Sequence, residues 1–281
     1  MSFRCFVFLG LAIVSLFASK GEARAEETAF ARVEKSKTIN CGYLVWPPFI
    51  AKDANTGKIT GINYDIMEAI GKNLGLKVNW SVEVGAGEAA AALDANKFDV
   101  MCASLWQSPG RLMTMTMTKP TFYSPAYAFT RTDDKRFDGN IEKANARDVK
   151  VAVIDGDYSQ DLAKEKLPKA AVVSLPMLAS GGEMLLQVLA NKADIVMSDE
   201  GFINDFMKTH PNSLRKVEGT GIIRTYGELL AVRRGEYQLK NMLDQSILQL
   251  ADDGVISDIT RKYEKQYNVK YFPPALSFNA Q

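Results

Sequence analysis

Two side chains of opposite charge close two matching segments of this chain. Leu93-Asp94-Ala95-Asn96-Lys97-Phe98-Asp99-Val100-Met101 returns as Val188-Leu189-Ala190-Asn191-Lys192-Ala193-Asp194-Ile195-Val196-Met197. Each copy follows a helix-like apolar stretch, turns at Asn-Lys and enters a short hydrophobic strand. The first copy runs on through Ser104 to Arg111; the second ends at Asp199 and Glu200. A guanidinium fork suits a carboxylate, and a carboxylate suits an ammonium, through charge-assisted hydrogen bonds. Two strand ends presenting these groups to each other would clamp a small molecule carrying both charges. Arg111 also fits a surface ion pair, and Asp199 fits an N-cap for a helix over Phe202–Met207. The cap and the ligand contact can coexist.

The elements needed to position such ends are legible in order. Thr38–Leu44 reads as a buried strand, broken by Trp46-Pro47-Pro48-Phe49 because neither proline can donate to a ladder. Asn63 is a candidate N-cap for a helix through Leu74, with Gly75 at its C-terminal end. Leu76–Val82 is a second strand, Glu88–Ala95 a helix and Phe98–Ala103 a third strand. That β-α-β-α-β order implies a parallel sheet. Phe122–Arg131 is aromatic and extended, and polar residues 132–147 suit a crossing into a second unit. There the pattern repeats: strands at Val149–Ile154, Val172–Leu175 and Ala193–Ser198 alternate with helices at Ser159–Leu167 and Gly182–Asn191. Glu228–Arg233 returns to the first unit, followed by helices at Tyr237–Ala251 and Val255–Tyr267. The expected division is 26–131 plus 226–281 as lobe 1 and 132–225 as lobe 2. Two crossings make a hinge, and hinged lobes can close on a ligand. In open α/β sheets the ligand sits outside the C-terminal strand ends.

Composition bounds the function. The 281 residues are 47% hydrophobic and 24% charged, enough apolar material for a substantial core. Residues 1–25 read as a signal peptide: Arg4, an apolar run Cys5–Ala18 and the small-x-small site Ala23-Arg24-Ala25. Cleavage near Ala25 predicts a soluble, exported, periplasmic protein. Residues 1–25 carry a net +2, so their removal takes the chain from +1 to −1. That balance argues against nucleic acid as a partner. Cys41 and Cys102 sit in strands that can be neighbours; two separate buried thiols are the simpler expectation, and a disulfide is open in an exported compartment. Met113–Thr118 alternates Met and Thr as a half-buried strand does, a simpler reading than thioether ligation of Cu(I). One histidine, His210, in a polar turn supports neither a zinc site nor a serine-type triad. No phosphate-cradling glycine loop is present. No cofactor and no metal are expected.

The chain resembles the family 3 solute-binding proteins of bacterial amino-acid uptake systems over nearly all of residues 37–270. The resemblance is carried by Ile39-Asn40-Cys41-Gly42 with Pro47-Pro48-Phe49, then Gly57-Lys58-Ile59-Thr60-Gly61-Ile62-Asn63-Tyr64-Asp65-Ile66. Lys97-Phe98-Asp99-Val100, Ser108-Pro109-Gly110-Arg111, Pro120-Thr121-Phe122-Tyr123, Ala193-Asp194-Ile195-Val196 and Asp252-Asp253-Gly254 follow in the same order. It implies a two-lobed type II periplasmic-binding-protein fold, α/β, each lobe a mostly parallel sheet flanked by helices. It further implies that Arg111 grips an α-carboxylate, Asp199 takes the α-ammonium, Trp46 packs on the ligand, and groups near Ser104 and Gly156 add hydrogen bonds. The implied partners are a small-molecule ligand and the membrane permease of an ABC transporter, served by a monomer.

Three departures from the family pattern bear on the ligand. Trp106 stands where many members carry a small hydroxyl residue, Gly85-Ala86-Gly87 replaces an aromatic, and Gly156-Asp157-Tyr158 replaces a glycine-hydroxyl-hydroxyl turn. Asp157 beside the carboxylate site disfavours an anion unless it points away. Together with Asp199 and Glu200, and with Trp46, Trp106 and Tyr158, it suits a cationic ligand, since an aromatic face attracts an ammonium by ~0.5–2 kcal/mol. A basic amino acid or another amine-bearing solute is the expectation. Two alternatives remain. Periplasmic cyclohexadienyl dehydratases are similar but carry a catalytic glutamate three residues after the aspartate matching Asp199, where this chain has Phe202. An accessory or sensory solute-binding protein is the other.

Overall fold

The computed structural model describes residues 27–85 and 87–274. The signal-peptide reading, its cleavage near Ala25 and the residue Ala86 lie outside them.

Within 26–36, a charged stretch that reads as loose from composition, residues 29–36 form a helix. α1 (Ala29–Ser36) is capped by Thr28 and buries Ala29 and Val33. Its first N–H donates to Glu236 Oε1 at 2.9 Å, an anchor no local pattern announces. After β1 (Thr38–Tyr43) comes a small hairpin of β2 (Ala51–Lys52) and β3 (Ile59–Thr60). α2 (Ile62–Leu74) ends at Gly75, which adopts φ 65° as a helix-ending glycine should. Its N-cap is Gly61 rather than Asn63. At φ 132° a Cβ on residue 61 would lie 2.3 Å from the Phe49 carbonyl oxygen, so only glycine fits. Asn63 is thereby free to turn its side chain into the protein.

β4 (Lys77–Glu83), α3 (Ala89–Asp94) and β5 (Val100–Leu105) complete the first parallel set, in spatial order β4-β1-β5. α4 (Pro109–Thr114) and β6 (Met115–Met117) lead to β7 (Phe122–Arg131). Strand structure in the Met/Thr run is confined to 115–117, where both methionines are buried against the core; Met113 ends α4 and is exposed.

The second set repeats the first. β8 (Lys150–Ile154), α5 (Tyr158–Lys166), β9 (Ala171–Leu175), α6 (Gly181–Leu189) and β10 (Ile195–Asp199) give the spatial order β9-β8-β10. In both sets the first strand lies between the second and third, and the pairings are parallel. The repeated phrase has one job in each copy. Asn96 and Asn191 both take left-handed backbone (φ 52° and 56°) just past a helix end. Asp99 and Asp194 then accept a backbone N–H from the first half of the neighbouring strand, Asn40 at 3.0 Å and Lys150 at 2.8 Å.

α7 (Glu200–Met207) and β11 (Leu214–Lys216) precede β12 (Arg224–Arg233), and α8 (Tyr237–Asp252) and α9 (Val255–Tyr267) finish the chain. The two halves join through β7 and β12. β7 pairs with β10 and β11 of the second set, so the chain changes sheets between Met117 and Phe122, ahead of the polar 132–147 segment. β12 changes sheets within itself: Arg224–Glu228 pair with β7, and Leu229–Arg233 pair with β5 and β6. Two adjacent extended strands are thus the hinge. Among the described residues no helix is long and apolar enough to cross a membrane.

Cys41 and Cys102 are joined by a disulfide, with Cα atoms 5.4 Å apart on the neighbouring strands β1 and β5. The expectation of two separate thiols is corrected: Cys41 lies opposite Val100, two residues before Cys102, which leaves the two cysteines close enough to join.

Candidate ligand-binding cleft

Four segments leave the C-terminal ends of β1, β5, β8 and β10 and meet between the two sheets. They carry Trp46, Trp106 with Arg111, Asp157 with Tyr158, and Asp199. Together with Leu44, Phe49, Ser104, Leu105 and Glu228 they line one cavity. This is the place where open α/β sheets hold ligands, here doubled by the repeat.

Each charged group is fixed by its helix. Ser108 caps α4 and Pro109 occupies the first turn, which orients Arg111. Arg111 Nη1 donates to the Trp106 carbonyl at 2.8 Å, and Nη2 reaches Asp157 Oδ2 at 3.5 Å across the cleft. Asp157 caps α5 with its other oxygen, accepting the Ser159 N–H at 3.1 Å. It therefore points at Arg111 rather than away. Both side chains are nearly buried, 10% and 5% exposed, which distinguishes the pair from a surface ion pair. Asp199 fills both roles read for it: Oδ1 caps α7 through the Phe202 N–H at 2.8 Å, and Oδ2 accepts Trp46 Nε1–H at 2.8 Å. Burial pushes its carboxyl up from an ordinary 3.8 to about 6, against the pull of these donors.

The aromatic residues pack mainly on one another. Trp46 stacks on Phe202 with centroids 4.2 Å apart and meets the edge of Tyr158. Trp106 lies flat on Tyr226 (3.9 Å, 7°) and against Tyr158 at 3.7 Å. The Tyr158 hydroxyl exchanges a hydrogen bond with Ser198 at 3.2 Å, and burial lifts its pKa well above the ordinary phenol value. Ser104 hydrogen-bonds the side chain of Asn63 at 2.8 Å. Gly156 stands apart from the cavity on an open groove shared with Gly87 and Arg111; at φ 72° it makes the turn that aims Asp157.

Sequence reasoning missed Glu228. It is 1% exposed, on the hinge strand, and lines the cavity. Its Oε1 accepts Trp106 Nε1–H at 2.5 Å and the Ser124 hydroxyl. Its Oε2 has no hydrogen-bond partner among the described residues. Burial, reinforced by Asp199, raises its carboxyl from 4.5 to about 8. A lone carboxylate opening the apolar run Glu228-Leu229-Leu230-Ala231-Val232 was the available signal. The cleft thus holds one guanidinium and three carboxyls. Among the described residues no group of three or more His, Cys, Asp or Glu is placed to hold a metal.

The family model for bacterial extracellular solute-binding proteins, family 3, matches residues 39–266. The chain belongs to that family. Like other family 3 proteins it has relatives with transport names. It is 27% identical over 230 residues to a probable amino-acid ABC transporter-binding protein of Haemophilus influenzae, covering 82% of this chain and 85% of that one. Among solved structures, an ancestral amino acid-binding protein described as a precursor of cyclohexadienyl dehydratase superposes with TM-score 0.71 at 25% identity, over 84% of this chain and 99% of that one. An ancestral arginine-binding protein bound to arginine gives 0.69 at 23% identity, over 81% and 98%. These neighbours carry the type II two-lobed fold, and this family 3 chain shares it.

Proposed function

We propose that this chain is the solute-catching component of a bacterial ABC uptake system and that it closes on an amine-bearing small molecule, a basic amino acid foremost. The observation that carries the proposal is the Arg111–Asp157 pair. Among the described residues the one cation lining the cleft, Arg111, already has an internal anion at 3.5 Å. Asp199, Glu228 and the faces of Trp46, Trp106 and Tyr158 are then what a solute meets, and these groups favour a cation. The names of the relatives support amino-acid transport as the setting. On this reading the exported protein, cleaved near Ala25, delivers its solute as a monomer to a permease driven by a separate ATPase. Closure is what the permease reads, and the solute shifts the open–closed balance only by binding the closed form better.

The dehydratase alternative needs a proton-transferring group at position 202. Phe202 there is a ring stacked on Trp46, and Glu200 is drawn outward to Lys216 at 2.6 Å. A binding role is favoured over an enzymatic one.

Thermal unfolding against amino acids, polyamines, quaternary amines and small carboxylates tests the proposal. A true ligand at 100 times its Kd adds about 2.7 kcal/mol of stability. A shift with cationic solutes is the expected result. Shifts confined to acidic solutes contradict the preference, and no shift with any solute contradicts the binding role.

A further inference from the structure

Glu228 costs the fold something that the fold does not recover. A buried carboxyl needs its oxygens satisfied, yet only Oε1 is used, by Trp106 and Ser124. Those bonds tie the first lobe's cleft loop to the hinge, and a glutamine would keep an acceptor for them. Oε2 is left over in a residue that is 1% exposed and faces the cavity. We propose that Glu228 is a ligand-contacting carboxylate that receives a cationic group of the solute at Oε2, from the floor of the cleft.

The position suits that task. Glu228 is the last residue of β12 paired with β7 before the strand joins the first sheet, so it belongs to neither lobe alone. Asp199 stands on the second lobe at the end of β10. A solute with one ammonium can bridge these two carboxyls; one with two cationic groups can give one to each. The charged and titratable groups around Glu228 are few. Arg111 and Asp157 engage each other, Asp199 is a carboxyl whose charge acts on Glu228, and Tyr158, Tyr226 and Tyr271 are buried phenols. No cation among the described residues partners Glu228.

Binding then carries a proton consequence. At neutral pH the Glu228 carboxyl holds its proton, because burial places its midpoint near 8. A cation arriving at Oε2 favours the ionised form, so the carboxyl gives its proton to solvent as the solute enters. Capture of a cationic solute releases up to one proton near pH 7 and tightens as pH rises from 6 to 8. A solute that offers no cationic group does neither.

This inference rests on reading the cleft as a solute site, and the test separates the two. Isothermal titration with L-arginine, L-lysine and putrescine, and with N-acetyl-L-leucinamide as the probe without a cationic group, is run in phosphate and in Tris to count protons. The wild-type protein is expected to release a substantial fraction of a proton with the cationic probes. Glu228→Gln, checked for a cooperative melt, is expected to lose at least tenfold in their affinity, with the proton release at pH 7 mostly gone and the pH dependence above pH 7 removed; what remains below pH 7 belongs to Asp199. A cationic probe bound by wild type without proton release overturns the inference, with no variant needed. So does unchanged affinity and proton count in Glu228→Gln, which would leave Glu228 a hinge support within a working solute site. Binding of N-acetyl-L-leucinamide alone overturns the inference and keeps the solute site; no binding of any probe overturns both.

Discussion

Replacing Asp157 by asparagine removes one charge and little else. Asparagine caps a helix about as well as aspartate, so the Ser159 N–H keeps its acceptor. What is lost is the attraction to Arg111 at 3.5 Å. At an effective dielectric of ~20, that separation corresponds to about 4–5 kcal/mol of gross Coulomb energy. Unpairing one member of a buried ion pair costs about 3–5 kcal/mol. Arg111 keeps its bond to the Trp106 carbonyl at 2.8 Å, which places the loss near the lower figure. A drop of about 3 kcal/mol lowers Tm by about 6–12 °C for a chain of this size. The binding consequence is more diagnostic. In the wild type a solute carboxylate must displace Asp157 to reach Arg111, so L-arginine and agmatine, its decarboxylated counterpart, should bind alike. In Asp157→Asn the guanidinium lacks an anion, and L-arginine should gain at least about tenfold over agmatine, 1.4 kcal/mol. L-lysine against cadaverine repeats the comparison. Calorimetric titration of both proteins reads the ratio. An unchanged ratio would refute the claim that Asp157 occupies the carboxylate grip of Arg111.

Two further outcomes are expected. The Cys41–Cys102 bond closes a 61-residue separation, for which loss of chain entropy gives about 4 kcal/mol; Cys41→Ser with Cys102→Ser should unfold about 8–16 °C lower, as should the reduced protein in a calorimetric scan. Ligand-free stability should fall as pH rises, opposite to the usual carboxylate behaviour. The folded protein holds protons on Glu228 up to about 8 and on Asp199 up to about 6, which the unfolded chain releases near 4.5 and 3.8. Between those limits the unfolded state binds fewer protons, so the slope of stability with pH is negative. At about 1.4 kcal/mol per tenfold, Glu228 alone contributes on the order of 4–5 kcal/mol between pH 4.5 and 8. Denaturant titrations at pH 5, 7 and 9 read this slope, and Glu228→Gln should remove most of the part above pH 6.

The sequence reveals those parts of the fold that local patterns specify. Parallel strands and amphipathic helices recur with the same spacing in both halves, and Asn96 and Asn191 mark the same left-handed helix end. Asp199 is recognisable because a cap and a strand end coincide there. The hinge is less legible: β7 and β12 pair with each other across the sheet junction, a relation that nothing within either segment encodes. α1 hides in a polar stretch because two buried residues, Ala29 and Val33, suffice to dock it. The disulfide depends on register between β1 and β5, which residue type does not give. Glu228 escapes notice because its surroundings come from Trp106, Ser124 and Asp199, distant in the chain and assembled only by closure of the two sheets.

The central claim is that a cationic solute is held in this cleft against Asp199. Equilibrium titration of the protein with L-arginine, L-lysine, putrescine and L-glutamate, repeated on Asp199→Asn, tests it most directly. Asparagine keeps an oxygen for the α7 cap but sets its NH2 against the Trp46 N–H, so a cooperative melt of the variant is checked before titration. One-to-one binding of at least one cationic solute is expected, weakened about 10- to 100-fold in the variant, as for a lost hydrogen bond to a charged group of about 1.5–3 kcal/mol. Tighter binding of L-glutamate than of any cation, or cation affinity unchanged in Asp199→Asn, would contradict it.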